Sequence, residues 1–232
     1  MSGVFHHHLF LSGPAGRLEA MHWTVAEPDP PMAALVCHPH PLFGGTMHNK
    51  VVFQVARTLH DLGLPVLRFN FRGAGLSEGA HDQGRGERGD VGAALDWLAE
   101  KFPAKPLLLA GFSFGAVVGL GVGCADARVT ELVGLGLPLN RNGMEFLRSC
   151  AKPKLFLHGE EDQFGDVDKV RELIASLPDP KRLVVVPGVD HFFRGKLEEM
   201  GRALRDWMLE RHPQLVGDAS RTADSSSLRS SE

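Results

Sequence analysis

Short apolar stretches alternate with amphipathic segments along most of the chain, and this pattern predicts an α/β fold. Buried strands are predicted at Ala33–Cys37, Val66–Phe71, Leu107–Ala110, Leu132–Leu137, Lys154–Leu157 and Leu183–Val186. Between them apolar residues recur at helical spacing, as at Val51, Val55 and Leu59. Strands that are apolar throughout and separated by helices are typical of a parallel sheet with helices on both faces.

The connections between these elements are short. An N-terminal hairpin is predicted from Val4–Leu11 and Arg17–Val25, which flank a Gly-Pro-Ala-Gly turn. Only residues 138–153 separate the strand ending at Leu137 from the one beginning at Lys154. This stretch is too short for a separate lid domain, so we expect no large lid and an open site.

The last apolar helix pattern includes Leu197, Leu204 and Trp207. From about Pro213 the composition changes to Ser, Thr, Asp and Arg, which predicts a disordered Ser-rich tail over 213–232. We therefore expect one domain over 1–212.

Composition and charge exclude several classes of protein. Of the 232 residues, 43% are hydrophobic and 23% charged, and the net charge is −3, so there is no basic surface to suggest a nucleic-acid partner. Leu107–Cys124 is uncharged and nearly long enough to span a membrane, but its glycines divide it into a strand, a turn and a helix, and no membrane partner is expected. Three cysteines without framework spacing, and no export signal, favour free thiols in the cytoplasm.

The strongest chemical signal is Gly-Phe-Ser-Phe-Gly at 111–115. It matches GxSxG, follows an apolar strand and opens a helix, which is the context that a nucleophile on a sharp strand-to-helix turn requires. Ser113 is therefore the candidate nucleophile. A serine hydroxyl is a poor nucleophile near neutral pH, so a base and a group that orients the base must also be present.

Two later loops supply these groups. Asp162 follows the strand at Lys154–Leu157, and His191 follows the strand at Leu183–Val186. Both loops leave the carboxyl ends of strands, and the order Ser, Asp, His fits this arrangement. Other carboxylates share the acid's loop, namely Glu160, Glu161, Asp166 and Asp168, and are expected to be solvated. Asp190 is expected to cap or support the histidine's loop, and His158 to be a packed or hydrogen-bonded histidine.

An oxyanion hole needs two backbone N–H groups aimed at the developing charge. Phe114, the residue after the nucleophile, should supply one. The loop after Ala33–Cys37 should supply the other, and its prolines have no N–H to donate. His40 is the candidate, with Leu42 as the alternative.

Several phenylalanines lie near these residues in sequence and are candidates to line an acyl pocket, the alternative being ordinary core: Phe43, Phe112 and Phe192 foremost, with Phe114 and Phe193. His38 and His40 would share a strand face, but no Cys or Asp cluster completes a metal site. The run His6–His8 is interpreted as part of the first strand. We expect neither a metal nor another cofactor.

At four places the chain resembles the α/β-hydrolase superfamily, and within it small lidless bacterial-type serine hydrolases of the dienelactone hydrolase and carboxylesterase kind. The four places are His38–Lys50, Asn70–Ser77, Gly111–Gly115 and Asp190–Phe193. The resemblance extends over about Gly13–Arg211. It implies an eight-stranded, mostly parallel sheet, a triad of Ser113, Asp162 and His191, and hydrolysis of carboxylic esters or thioesters.

The favoured hypothesis is a serine hydrolase that cleaves short-chain carboxylic esters through an acyl-enzyme. A thioesterase or a peptidase would use the same triad, and a non-catalytic interaction protein would retain only the fold. The expected partner is a small-molecule ester or thioester. The oligomeric state, a homo-oligomer included, stays open.

Overall fold

The computed structural model describes residues 6–26, 29–139 and 144–215. Within these ranges the chain forms eight strands, five α-helices and three short 3-10 helices. The strands are His6–Gly13 (β1), Gly16–Trp23 (β2), Ala33–Cys37 (β3), Val66–Phe69 (β4), Leu107–Phe112 (β5), Val129–Leu135 (β6), Lys154–Gly159 (β7) and Lys181–Val186 (β8). The α-helices are Lys50–Asp61 (α1), Arg85–Lys101 (α2), Phe114–Ala125 (α3), Val167–Ala175 (α4) and Leu197–Arg211 (α5). The 3-10 helices are Pro41–Phe43, Glu145–Ser149 and Pro213–Leu215.

The eight strands form one sheet in the order β1-β2-β4-β3-β5-β6-β7-β8. β2 lies antiparallel to β1 and β4, and all the remaining neighbours are parallel. The predicted eight-stranded, mostly parallel sheet is thus confirmed. The predicted hairpin forms as β1 and β2, although its first residues, Val4 and Phe5, lie outside the described residues.

Helices cover both faces of the sheet because the parallel strands are apolar on both sides. On one face α2, α3 and α4 contribute buried residues such as Leu95, Leu120 and Ile174. On the other face α1 and α5 contribute residues such as Leu59 and Trp207. The helices hold the sheet rigid between two cores, so the loops at its edge start from fixed positions.

Two details differ from expectation. The helix α4 was not predicted from the sequence; it has nine residues, of which Val170 and Ile174 are buried. At the other end, Pro213–Leu215 form a 3-10 turn and Leu215 is buried against the second core. The described residues therefore include the first three of the predicted tail, 213–215. The rest of that tail, 216–232, lies outside the described residues.

The register of the parallel strands brings their carboxyl ends to one edge. Cys37 of β3 pairs with Gly111 of β5, and Phe112 of β5 pairs with Leu135 of β6. Between β6 and β7 the described residues form only the 3-10 helix Glu145–Ser149, and residues 140–143 lie outside the described ranges. The parts of the chain that are described contain no helix long and apolar enough to span a membrane.

Candidate active site

Ser113 occupies the turn between β5 and α3. Its backbone has φ 56° and ψ −116°, a left-handed conformation that a residue with a Cβ seldom adopts. The Ser113 N–H donates to the Leu135 carbonyl of β6 at 2.9 Å. The sheet thus holds the strained residue in place, as the GxSxG context predicts.

The glycines on either side permit this turn because other backbone passes very close to them. A Cβ on Gly115 would lie 2.5 Å from the carbonyl oxygens of both Cys37 and His38. A Cβ on Gly111 would collide with the backbone of Gly115 and lie 2.7 Å from the Ala116 nitrogen. The loop after β3 can therefore pack directly on the start of α3, next to Ser113.

His191 and Asp162 meet at the same edge of the sheet as Ser113, in the loops that follow β8 and β7. The His191 Nδ1 lies 2.7 Å from Asp162 Oδ2, and both residues are buried. A carboxylate accepts only, so Nδ1 carries the proton that is donated, and in the neutral ring Nε2 has a lone pair. This is the tautomer that a general base needs.

Backbone groups and a second histidine also surround Asp162. Its Oδ1 accepts the N–H groups of Phe164 at 2.8 Å and Gly165 at 3.2 Å. His158 Nε2 donates to the Gly165 carbonyl at 2.7 Å and lies 3.7 Å from Asp162 Oδ2. Burial lowers the pKa of His158, so this ring is neutral near pH 7. His158 is a packed, hydrogen-bonded histidine, as expected, and it holds the loop that carries the acid.

The competing carboxylates have other partners. Glu160 accepts the Gly188 N–H at 2.9 Å, and Asp166 caps α4 by accepting two N–H groups of its first turn. Asp190 accepts the N–H groups of Phe192 and Arg194 and pairs with the Arg194 guanidinium at 2.7 Å, which is the capping role expected for it. Of these carboxylates, Asp162 is the one bonded to the His191 ring.

Aromatic rings enclose the His191 imidazole. The ring centroids of Phe112, Phe164 and Phe192 lie 4.9, 4.8 and 5.2 Å from it. Gly136 also borders the ring, since a Cβ there would lie 3.0 Å from two of its atoms. Phe164 and Gly136 were not identified from the sequence, because each lies in a different loop and only the fold brings them to His191.

One predicted substrate-binding residue needs correction. Phe112 is fully buried in the core, its ring contacts the His191 ring, and it does not line the cleft, so it is not positioned to touch a substrate. Phe193 is likewise fully buried. Phe112 is buried because helices cover both faces of β5, and it packs in the core on the side of α1 and α5. Of the two foremost candidates that remain, Phe43 is 78% exposed and Phe192 is half-buried.

The loop after β3 is anchored by His38. Its Nδ1 donates to the Pro39 carbonyl at 2.6 Å, and its Nε2 accepts the Phe71 N–H at 2.9 Å. Burial lowers the pKa of His38 to about 4, which keeps the ring in this neutral state. His38 therefore ties the end of β3 to the end of β4, a structural use of the histidine.

Asn70 fixes the far end of the same loop. Its Oδ1 accepts the Met47 N–H at 2.7 Å, and its Nδ2 donates to Glu19 Oε2 at 2.7 Å. Ser77 Oγ donates to the Asn70 carbonyl and accepts the Glu19 N–H. Asn70 and Ser77, which belong to one of the four resembling segments, thus position the loop that approaches Ser113.

The two predicted oxyanion donors line the same cleft as Ser113. Phe114 is the first residue of α3, where the N–H has no partner within the helix. The His40 ring lies 4.9 Å from the Phe114 ring, which places the two residues side by side. The Leu42 N–H donates to His40 Nδ1 at 3.3 Å, so this alternative donor is used within its own loop.

A cleft of about 930 Å³ opens above these residues. Ser113, His191, His40, Phe43, Phe114 and Phe192, all named from the sequence, line it. Further lining residues were not identified from the sequence, among them His81, Arg85, Arg88, Val117, Val118 and Phe164. Asp162 lies behind His191, away from the cleft surface. Among residues 6–26, 29–139 and 144–215, no three His, Cys, Asp or Glu side chains converge as metal ligands.

Comparison with known proteins adds to this geometry. Residues 35–212 match a family described as an alpha/beta hydrolase domain. An uncharacterized protein of Rickettsia prowazekii is 38% identical to the chain, with 87% of this chain and 88% of that protein covered.

Two solved structures are similar over nearly their whole length. An alpha-beta serine hydrolase homologue from Coxiella burnetii is 35% identical with a TM-score of 0.81, covering 89% of this chain and 97% of that one. A serine hydrolase without a lid from Xanthomonas campestris is 36% identical with a TM-score of 0.81, covering 90% and 97%. These likenesses agree with the fold described above.

Proposed function

The chain belongs to the alpha/beta hydrolase family, and on that premise we propose that it cleaves short-chain carboxylic esters through an acyl-enzyme on Ser113. One observation carries the proposal. His191, bonded to the buried Asp162, lines the same cleft as Ser113. The similarity to the serine hydrolase homologue from Coxiella burnetii and to the lidless serine hydrolase from Xanthomonas campestris supports the same chemistry.

In the first half-reaction Ser113 Oγ attacks the ester carbonyl carbon while His191 Nε2 takes the hydroxyl proton. The carbonyl π electrons move to the oxygen. As the intermediate collapses, the bond to the alcohol oxygen breaks, and the imidazolium returns the proton to the leaving alcohol. Asp162 stabilises the imidazolium, since its Oδ2 lies 2.7 Å from Nδ1.

In the second half-reaction water takes the place of the alcohol. His191 accepts a proton from the water as the water oxygen attacks the acyl carbon. The bond between the acyl carbon and Ser113 Oγ then breaks, and the imidazolium returns the proton to Oγ. The N–H groups of Phe114 and His40 are assigned to the oxyanion in both halves. The products are the carboxylic acid and the alcohol, with the enzyme unchanged.

The acyl preference is inferred from the shape of the cleft. Phe43, at its rim, is 78% exposed, and the segment between β6 and β7 contributes only a short 3-10 helix among the described residues. A long acyl chain would leave much of its apolar surface in water, so added methylenes gain little. The cleft therefore suits short acyl groups.

The proposal is tested by intact-protein mass after treatment with a small fluorophosphonate, with Ser113→Ala and His191→Ala as variants. We expect one adduct on Ser113, formed far more slowly without His191. No adduct on folded wild-type protein would contradict the proposal and favour a non-catalytic interaction protein. A panel of matched butyrate esters, thioesters and amides then distinguishes an esterase from a thioesterase or a peptidase.

A further inference from the structure

The cleft continues well beyond Ser113. Val117 and Val118 of α3 line it, and at a rise of 1.5 Å per residue they lie about 6–8 Å further along the helix than Ser113. At that end the start of α2 packs against α3, since a Cβ on Gly84 would lie 3.4 Å from Val118 Cγ2. Arg85 and Arg88, in the first turn of α2, line the cleft there.

These two arginines form one cationic face. Positions three apart lie on the same side of a helix, and both residues are exposed. Arg85 Nη2 lies 3.1 Å from Asp82 Oδ1, an exposed contact that solvent screens. Among the described residues no carboxylate lies within ion-pair distance of Arg88.

The acidic side chains in the first turns of α2 are buried in the core instead. Glu87 and Asp90 are fully buried, and each faces a basic side chain: His81 Nδ1 lies 2.8 Å from Glu87 Oε1, and Arg72 Nη2 lies 2.7 Å from Asp90 Oδ1. No aspartate or glutamate is among the described residues that line the cleft, although the chain has a net charge of −3. The first turns of α2 thus place positive charge toward the cleft and partnered carboxylates toward the core.

We propose that Arg88, assisted by Arg85, binds an anionic group of the substrate at this end of the cleft. The substrate would then be an ester whose acyl or alcohol part carries a carboxylate or a phosphate, the groups that a guanidinium binds through paired hydrogen bonds. Val117, Val118 and Phe114 would contact the apolar part between that group and the ester. This inference rests on the proposed hydrolase function and names the substrate class for it.

A second hollow of about 430 Å³, on the other side of Phe192, is also lined by cations, Lys50 and Arg194. It is less suited to an anion because Asp190 already pairs with Arg194 at 2.7 Å. Lys50→Gln therefore serves as the variant that distinguishes the two locations.

The test compares 4-nitrophenyl esters that differ only at the far end of a six-carbon acyl chain: methyl adipate (neutral), adipate (carboxylate) and 6-phosphonooxyhexanoate (phosphate). A second pair, phenyl butyrate and 3-(carboxymethyl)phenyl butyrate, places the charge on the alcohol side. We expect kcat/KM for at least one charged ester to exceed that of its neutral partner about tenfold at low salt, and salt to reduce this preference. Which pair shows it identifies the side and kind of anion.

Arg88→Gln is expected to reduce the preference to about twofold or less, and Arg85→Gln to reduce it partially. Arg202→Gln, an exposed change on α5, is the matched control and should retain the full preference. Equal kcat/KM for all charged and neutral partners would overturn the inference. So would a preference that Lys50→Gln removes and Arg88→Gln leaves intact.

Failure of the substrate class and failure of the hydrolase function give different results. If fluorophosphonate labels Ser113 but no charge preference exists, the hydrolase stands and the substrate class is wrong. If Ser113 is not labelled, calorimetric titration of the Ser113→Ala protein with the stable anilide of adipate and with its methyl ester still tests the anion site. Tighter binding of the carboxylate, lost in Ser113→Ala/Arg88→Gln, would support the site without the hydrolase, and equal binding would overturn it.

Discussion

Two walls of the cleft are built in contrasting ways. The base wall, formed by residues 159–166 and 187–195, buries Asp162 and His191 and satisfies the carboxylate with backbone N–H groups. The entry wall, formed by residues 39–45 and 81–88, exposes Phe43 and Arg88 to solvent. Buried, fully bonded groups hold one geometry, whereas exposed side chains are free to adapt to a ligand. The contrast suggests that the base wall carries the acid and the base of the proposed reaction, and that the exposed side chains of the entry wall select the substrate.

The largest effect should come from the base wall. Asp162→Asn is expected to lower kcat for 4-nitrophenyl butyrate by about 10⁴-fold, because an amide cannot hold His191 in the required tautomer or stabilise its charge. Steady-state kinetics measure this. Glu160→Gln, a change of the same type two residues away, should alter kcat less than threefold; comparable losses in both variants would show that the loop, not the carboxylate, is what matters.

The next effect concerns Gly115, where the loop after β3 packs on the start of α3 beside Ser113. Gly115→Ala would press a methyl group against two backbone carbonyls, which cannot move without shifting the loop after β3. We expect a loss of about 1–3 kcal/mol in the free energy of unfolding and of about 10–100-fold in kcat/KM. Urea denaturation and kinetics on the same samples measure both.

Gly121→Ala is the matched control on the same helix. Its Cβ would make an ordinary contact of 3.6 Å with Phe146, so we expect stability unchanged or slightly increased and kcat/KM unchanged. If the two variants behaved alike, close packing at Gly115 would not be what positions Ser113.

A third effect, on stability, tests through pH how His38 anchors the loop after β3. Burial holds the pKa of His38 at about 4, while the unfolded chain titrates near 6.5. Between these values the unfolded chain binds a proton that the folded chain refuses, so the free energy of unfolding decreases as pH falls from 6.5 to 4, by about 3 kcal/mol. Urea denaturation from pH 7 to 4.5 measures the slope.

His38→Gln should make that slope shallower. Part of it will remain, because burial also lowers the pKa of His22 to about 4. An unchanged slope in the variant would show that His38 titrates normally and that a buried neutral imidazole does not anchor the loop.

The smallest effect concerns the open rim. We expect kcat/KM for 4-nitrophenyl dodecanoate to be no higher than for the butyrate, since the added methylenes stay largely in water and gain no binding energy in the transition state. A chain-length series below the micelle concentration measures it. Faster turnover of the dodecanoate would mean that Phe43 and its neighbours cover a long chain.

Much of the fold follows from local pattern. Continuous apolar strands such as Ala33–Cys37 are recognisable because both of their faces are buried. The nine residues of α4 were missed because so short a helix presents only two buried positions, too few to show a period.

The residues of the candidate site also differ in how well the sequence predicts them. Ser113, Asp162 and His191 could be proposed from the sequence because each follows a strand at one sheet edge, in the chain order that is typical of this fold. Phe112 was assigned to the substrate pocket by its neighbours in sequence, yet its side chain points into the core. Helices that are far away in sequence cover both faces of this strand, so its last residue is buried whichever way the side chain points.

The sequence by itself determined the order of strands and helices apart from α4, the strained turn at Ser113 and the loops that bear the proposed acid and base, because these depend on spacing within a few residues. Only the tertiary structure decided which side chains meet. Gly136 lies against His191, Asn70 holds the loop of His40, and Arg88 faces the cleft while Asp90 faces Arg72. Such contacts join residues brought together by sheet order and helix packing, so no local pattern encodes them.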